Sequence, residues 1–285
     1  MDCIILDIDG TLWDTTPIVA EAWNRVLEKR KDVAFRATAD KLKALFGRPL
    51  PVIASMIFPE LSREEQAVLI DLCCEEEHRT LEETPGQVFE GVAETIQELS
   101  KHLKVCIVSN CQAGYIELTM KSLGIEDYIT DFECPGYTGL SKGENCKLVM
   151  ERNGFTSALY VGDTQGDYEA AAFAGIPFVF CEYGFGQPEH YDYKISQFSQ
   201  LLSLFDCQEK DRNQSFGVRS FLYVFEKHII YLLLRMHFLL PKQADLHRMY
   251  FSCRRYFPLN TLRSVLPSYR LPVYSRPLSF RYSLR

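Results

Sequence analysis

The chain has 285 residues, 47% of them hydrophobic, which is enough for one or two domains with a substantial core. Its net charge of −7 hides a split: residues 1–206 carry 17 Lys and Arg against 34 Asp and Glu, a balance of −17, whereas residues 207–285 carry 14 against 4, a balance of +10. The acidic body argues against nucleic acid as a partner, because binding a phosphate backbone needs a basic face.

The first apolar run, Cys3–Leu6, ends on the carboxylate of Asp7, the pattern of a buried parallel strand. Pro17 is placed to open a helix through Val26 and Leu27, with Val19, Ala22, Trp23 and Val26 on one face. Residues 37–84 then read as helix upon helix with no strand between. A helix at 39–46 is broken by Gly47-Arg48-Pro49, and one at 63–81 follows Ser62, an N-cap with Glu65 at the capping-box position. From Pro85-Gly86 the rhythm changes. Helices are predicted at 92–99, 115–123, about 143–152 and 167–174, alternating with strands at 105–108, near 131–134, at 158–161 and at 178–180. Gly124, Asn153-Gly154 and Gly175 close three of those helices. Helices between short apolar strands make a doubly wound parallel sheet, a Rossmann-like α/β core. The expected organisation is that core over 1–16 and 85–206, with an all-helical cap at 17–84 inserted after the first strand.

The stretch 207–285 is foreign to this pattern. Residues 221–240 are rich in Phe, Leu, Ile and Tyr, yet hold Glu226, Lys227 and Arg235. That falls short of the ~18 uncharged apolar residues of a membrane span. An interfacial helix with a basic tail, touching a membrane surface, is one reading. A segment with no evolved partner in the fold, such as a shifted reading frame, is the other, and no chemistry is assigned to it. The ten cysteines include no Cys-x-x-Cys pair, and Cys3 and Cys106 fall inside apolar strand-like runs. They read as reduced structural thiols of a cytoplasmic protein. Asp2 is acidic and Asp7 interrupts the first apolar run, so no signal peptide is expected.

Four separated features carry chemistry. The string Asp7-Ile8-Asp9-Gly10-Thr11-Leu12 puts two carboxylates at the end of the first strand, where the turning chain points both into one site. Gly10 permits close approach of a ligand. An acidic strand-end turn is the bland alternative, but the full string after an apolar strand is far more specific than a lone Asp-x-Asp. Ser109-Asn110 ends the strand at 105–108. A hydroxyl and backbone amides there suit a phosphate oxygen, although both residues are also common helix caps. Lys142, after Gly139-Leu140-Ser141, is on its own a solvated charge; beside the other features it is a point charge for phosphate and nucleophile. Gly162-Asp163-Thr164-Gln165-Gly166-Asp167 ends the strand at 158–161. Asp163 there is either an N-cap, with Asp167 a first-turn helix charge, or both join the site, since such folds place ligands at the ends of adjacent parallel strands. Four crowded carboxylates raise one another's pKa; a divalent cation removes the conflict, and oxygen-only ligands select magnesium.

In this order (Asp-x-Asp-Gly-Thr, Ser, Lys, Gly-Asp-x-x-x-Asp), residues 1–206 resemble the haloacid dehalogenase-like superfamily. The helical insertion between Asp14 and Pro85 resembles the cap of its phosphoglycolate phosphatase-like branch. The resemblance implies a phosphatase acting on a small phosphorylated metabolite, as a monomer or dimer. It makes Asp7 the nucleophile that forms an aspartyl-phosphate, and Asp9 the group that protonates the leaving oxygen and then activates water. Gly10, Thr11, Ser109, Asn110 and Lys142 fall around the phosphoryl oxygens. Mg²⁺ falls to Asp7, Asp163 and the Asp9 backbone carbonyl, with Asp167 in support. Two departures stand out. Gly143 follows Lys142 where many relatives have Pro, which puts the local helix start in question, and Trp13 replaces a smaller residue and is expected to reshape the mouth under the cap.

A sugar phosphomutase of the beta-phosphoglucomutase kind uses the same aspartyl-phosphate; Thr11 and the segment Tyr183-Gly184-Phe185-Gly186 lean towards a phosphatase. A dehalogenase does not need the acid/base carboxylate of Asp9. Outside enzymes, a non-catalytic phosphate-binding relative would leave a reacting position empty, and here all are filled. The substrate is not legible from the cap by motif. Arg48 reads either as a contact for a substrate carboxylate or as a solvated charge, and His190 as a surface histidine.

Overall fold

The computed structural model describes residues 1–205; the expectations for 207–285, including the stretch at 221–240, lie outside the described residues. The strands are β1 (Cys3–Leu6), β2 (Trp13–Asp14), β3 (Gln87–Val88), β4 (Lys104–Val108), β5 (Asp131–Glu133), β6 (Ala158–Gly162), β7 (Phe178–Cys181) and β8 (Tyr193–Ile195). The α-helices are α1 (Thr16–Leu27), α2 (Ala39–Lys43), α3 (Leu50–Ile57), α4 (Arg63–Glu83), α5 (Val92–Ser100), α6 (Tyr115–Leu123), α7 (Pro135–Thr138), α8 (Lys142–Asn153) and α9 (Gln165–Ala174).

Six strands form one parallel sheet in the order β5-β4-β1-β6-β7-β8. Successive side chains point to opposite faces, and both faces are dry. Ile4 and Leu6 of β1 join Ile96, Leu99 and Ile116 from α5 and α6, whereas Cys3 and Ile5 join Cys146, Val149 and Ala171 from α8 and α9. Burial on both faces is why the strands read as unbroken apolar runs. The strand order reverses at β1, which lies between β4 and β6, and the crevice at the carboxyl ends of these three strands is the place such a sheet offers a ligand. The α/β class expected from the sequence is the one observed.

Helices α1–α4 fall between β2 and β3, which pair antiparallel through Trp13 with Val88 and Asp14 with Gln87. The chain thus leaves and re-enters the sheet layer through one two-stranded stem. Strands of two residues are too short to show as a pattern, and the edge strand β8 was missed for a related reason: Tyr193 and Lys194 are exposed and only Ile195 is buried. The helix expected at 39–46 ends earlier, at Lys43. The amides of Leu45 and Phe46 both turn back to the Leu42 carbonyl, which tightens the chain before Gly47.

The helix start questioned at Gly143 is well defined. Ser141 caps α8, with a reciprocal bond between its backbone and Glu144. A Cβ at Gly143 would stand 2.8 Å from Phe173 Cδ1, so the glycine lets α9 pack close on α8. Among the described residues no helix is long and apolar enough to cross a membrane.

Candidate active site

The Asp7 amide donates to the Val161 carbonyl at 2.9 Å, so the ladder runs one residue past β1 and fixes the Asp7 backbone beside β6. The chain then folds tightly: the amides of Thr11 and Leu12 both donate to the Ile8 carbonyl, and that of Gly10 to the Trp13 carbonyl at 3.0 Å. Gly10 sits at φ +80°, and a Cβ there would lie 2.2 Å from Asp163 Oδ2. The turn therefore needs glycine for its backbone and for the carboxylate pressed against it.

The β6–α9 loop brings the other acids. The N-cap of α9 is Thr164, not Asp163, and Asp167 closes the capping box. Asp167 Oδ2 accepts from the Thr164 amide at 2.9 Å, the Thr164 hydroxyl at 2.7 Å and the Asp163 amide at 3.1 Å. Its other oxygen takes the Lys142 ammonium at 2.6 Å, and the same Nζ donates to Asp7 Oδ1 at 2.8 Å. Lys142 is only 4% exposed, so it is a buried bridging cation rather than a solvated charge. Carboxylate oxygens of Asp7, Asp163 and Asp167 lie within 4.8 Å of one another.

The Asp9 side chain is turned away from this cluster. Its Oδ1 accepts from the Tyr115 hydroxyl at 2.8 Å and the Thr15 hydroxyl at 3.1 Å. Ser109 and Asn110 line one cavity with Asp7 and Asp9. The Asn110 side-chain amide is committed to the Gly47 carbonyl at 2.8 Å. Gly10 and Thr11 do not line that cavity. The Thr11 hydroxyl reaches Asp163 Oδ1 at 3.5 Å, and its carbonyl accepts from the Tyr183 hydroxyl at 2.9 Å.

Burial separates the two acids of the first loop. It pushes Asp7 up to about 6, with Asp167 adding to the rise and Lys142 and Ser109 opposing it. It pushes Asp9 up to about 8, with Tyr115 opposing and Asp7 and Glu77 adding. Asp163 is driven well up by burial and by the charges of Asp167 and Asp7. Burial pulls the Lys142 ammonium down, but Asp167 and Asp7 outweigh it and the net direction is up. Three carboxyl groups crowd around one ammonium in a pocket of hard oxygen donors. These residues fit a divalent hard cation.

The cavity over Asp7 and Asp9 measures about 30 Å³ and is roofed by Trp23, Arg48 and Glu77 from the helical insertion. That is room for about two water molecules. It adjoins a cleft of about 1410 Å³ that shares Arg48, Asn110 and Gln112 with it. Four residues here were not foreseen: Thr15 and Tyr115 holding Asp9, and Glu77 with Gln112 beyond them. Glu77 carried a readable signal. It occupies an inward position of the stripe Ile70, Cys73, Cys74, Glu77, Leu81, where helical spacing calls for an apolar residue. Tyr115 and Thr15 carried none. Trp13, expected at the mouth, is fully buried and packs behind Tyr115 with ring centroids 6.0 Å apart. His190 lies outside the cavity, its ring centroid 5.7 Å from that of Tyr168.

Comparison with known proteins agrees with this geometry. The family profile described as haloacid dehalogenase-like hydrolase matches residues 4–181. A phosphoglycolate phosphatase of Photobacterium profundum is 26% identical over 220 residues, covering 70% of this chain and 94% of that protein. An N-acetylmuramic acid 6-phosphate phosphatase of Pseudomonas putida is 27% identical, covering 65% and 85%. Among solved structures, a haloacid dehalogenase-like family hydrolase from Streptococcus pneumoniae superposes with a TM-score of 0.63 at 19% identity, over 72% of this chain and 98% of that one.

Proposed function

The chain belongs to the haloacid dehalogenase-like hydrolase family and is a phosphatase, and from that premise we propose that it hydrolyses a small phosphorylated metabolite through an aspartyl-phosphate on Asp7, with Mg²⁺ as cofactor, in the manner of the phosphoglycolate phosphatase-like branch. One observation carries this reading: two carboxyls two residues apart lie in different environments. Asp7 accepts from the Lys142 ammonium at 2.8 Å, whereas Asp9 accepts from the neutral hydroxyls of Tyr115 and Thr15, and burial pushes it up to about 8. Opposed environments for paired acids are how a site divides nucleophile from general acid.

In the first step an Asp7 oxygen bonds to phosphorus as the ester P–O bond breaks, and Asp9 gives its proton to the leaving oxygen. In the second, Asp9, now a carboxylate, takes a proton from water as that water attacks phosphorus; Asp7 and inorganic phosphate are released. Tyr115 and Thr15 hold Asp9 in place for both transfers. Ser109 and Lys142 are assigned to the phosphoryl oxygens. Asn110, its side chain committed to Gly47, and Gly10 and Thr11, set back from the cavity, are assigned backbone amides. Asp7, Asp163 and the Asp9 carbonyl, with Asp167 in support, would hold Mg²⁺, which would supply charge neutralisation to the transferred group.

A cavity of about 30 Å³ does not admit a phosphomonoester, so we take residues 17–84 as a cap that opens on its stem and closes over the substrate. The eight free cysteines found among the described residues are all buried, which fits a reducing cytoplasm. The test is phosphate release from small phosphoesters by wild type and Asp7→Asn, each with Mg²⁺ or chelator. The wild type is expected to need Mg²⁺, with Ca²⁺ a poor substitute, and the variant to stay folded yet lose turnover by roughly three orders of magnitude or more. Near-normal turnover in the variant would sink the mechanism.

A further inference from the structure

The cavity over the reacting groups is small and mixed in character. Asp7, Asp9 and Ser109, assigned above to the reacting phosphoryl group, line it together with Glu77 from the helical insertion. The Glu77 side chain is buried, 5% exposed, and both of its neighbours donate to it: the Trp23 indole N–H at 2.8 Å and the Gln112 amide at 3.2 Å. The group is therefore set as an acceptor. Asn110 adds a second acceptor. The bond from its Nδ2 to Gly47 fixes the amide orientation, and Oδ1 is left buried without a hydrogen-bond partner among the described residues. Against these stands one cation in the cavity lining, Arg48, which is exposed. Buried acceptors ask for donors, and a buried carboxyl repels a second one.

From this arrangement we propose that Glu77 and Asn110 form a leaving-group subsite that takes a hydroxyl-bearing alcohol, as in a polyol or sugar phosphate, and rejects an alcohol bearing a carboxylate. The adjoining cleft of about 1410 Å³, which shares Arg48, Asn110 and Gln112 with the cavity, gives such a leaving group room to extend beyond the two-water pocket. This inference rests on the phosphatase reading above and deepens it by naming the substrate class. Phosphoglycolate, whose carboxylate would meet Glu77, becomes the disfavoured partner.

The test compares glycerol 3-phosphate with phosphoglycolate on the full chain at about pH 8, in wild type and Glu77→Gln, with p-nitrophenyl phosphate as an ester lacking leaving-group donors. Wild type is expected to prefer glycerol 3-phosphate in kcat/KM by about tenfold or more, the worth of a hydrogen bond to a charged group. Glu77→Gln is expected to erase that preference while p-nitrophenyl phosphate turnover stays within a few-fold. A wild-type preference for phosphoglycolate overturns the proposal, and so does an equal loss on all three esters, which would make Glu77 a packing residue of the cap. Binding separates this inference from the mechanism. Calorimetry on Asp7→Asn, with and without Glu77→Gln, reads the same preference with no turnover. Should wild type hydrolyse nothing, the Asp7 mechanism fails, and tighter binding of glycerol 3-phosphate that depends on Glu77 still upholds the subsite. Equal binding of the two esters overturns it.

Discussion

Glu77 is pushed up to about 7 from 4.5 by burial, with the Trp23 and Gln112 donors pulling the other way. A carboxyl whose pKa is higher folded than unfolded stabilises the fold while it is protonated. Its contribution is whole below about 4.5 and is lost as pH rises through about 7. Over that span the effect is on the order of 3 kcal/mol. With chelator present, the urea midpoint of wild type is expected to fall between about pH 5 and pH 8, and to fall less in Glu77→Gln. Asp9 titrates in the same direction, so the slope should shrink rather than vanish. Identical slopes would show that folding does not raise the Glu77 pKa. The residues legible in the sequence are those whose chemistry is local: Asp7, Asp9, Asp163 and Asp167 each sit in a short string at a strand end. Tyr115 and Thr15 were invisible because their role is made only by the fold, which closes 100 residues of chain to bring the Tyr115 hydroxyl within 3.4 Å of the Thr15 hydroxyl.

At the scale of elements, the strands at 105–108, 158–161 and 178–180 were legible because both faces of the sheet are buried, so each is a plain apolar run. The stem β2–β3 and the edge β8 were not, since two or three residues with exposed side chains hold no period. The β1–α1 turn is where sequence and element meet most tightly. Gly10→Ala puts a Cβ at φ +80° and 2.2 Å from Asp163 Oδ2, with the second loop unable to retreat because Asp163 Oδ2 also accepts from the Phe185 amide at 2.6 Å. Backbone strain and the clash together are expected to cost about 2 kcal/mol or more and to displace Asp163. Thermal unfolding and phosphate release should both suffer; an unchanged melting point with full activity would mean that the loops yield more easily than their hydrogen bonds imply.

For the molecule as a whole, the question is which part of the chain performs hydrolysis and whether water is the true acceptor. Every group assigned to the reaction lies between Asp7 and Asp167, and the buried clusters on both faces of the sheet extend no further than Leu201 among the described residues. A chain ending at residue 206 keeps all of these and carries a balance of −17 instead of −7, which favours solubility. It is expected to fold alone and to release phosphate at a rate within a few-fold of the full chain. The acceptor is read directly from the products, since a mutase must exclude water from its phosphoenzyme until the sugar returns. Inorganic phosphate and isomerised sugar phosphate are to be measured in the same tubes, for the truncated and the full chain. Phosphate release far ahead of isomerisation in both is the expected result. Isomerisation ahead of release would move the chain to the mutases, and a truncated protein that is folded but inactive would make residues 207–285 part of the working enzyme.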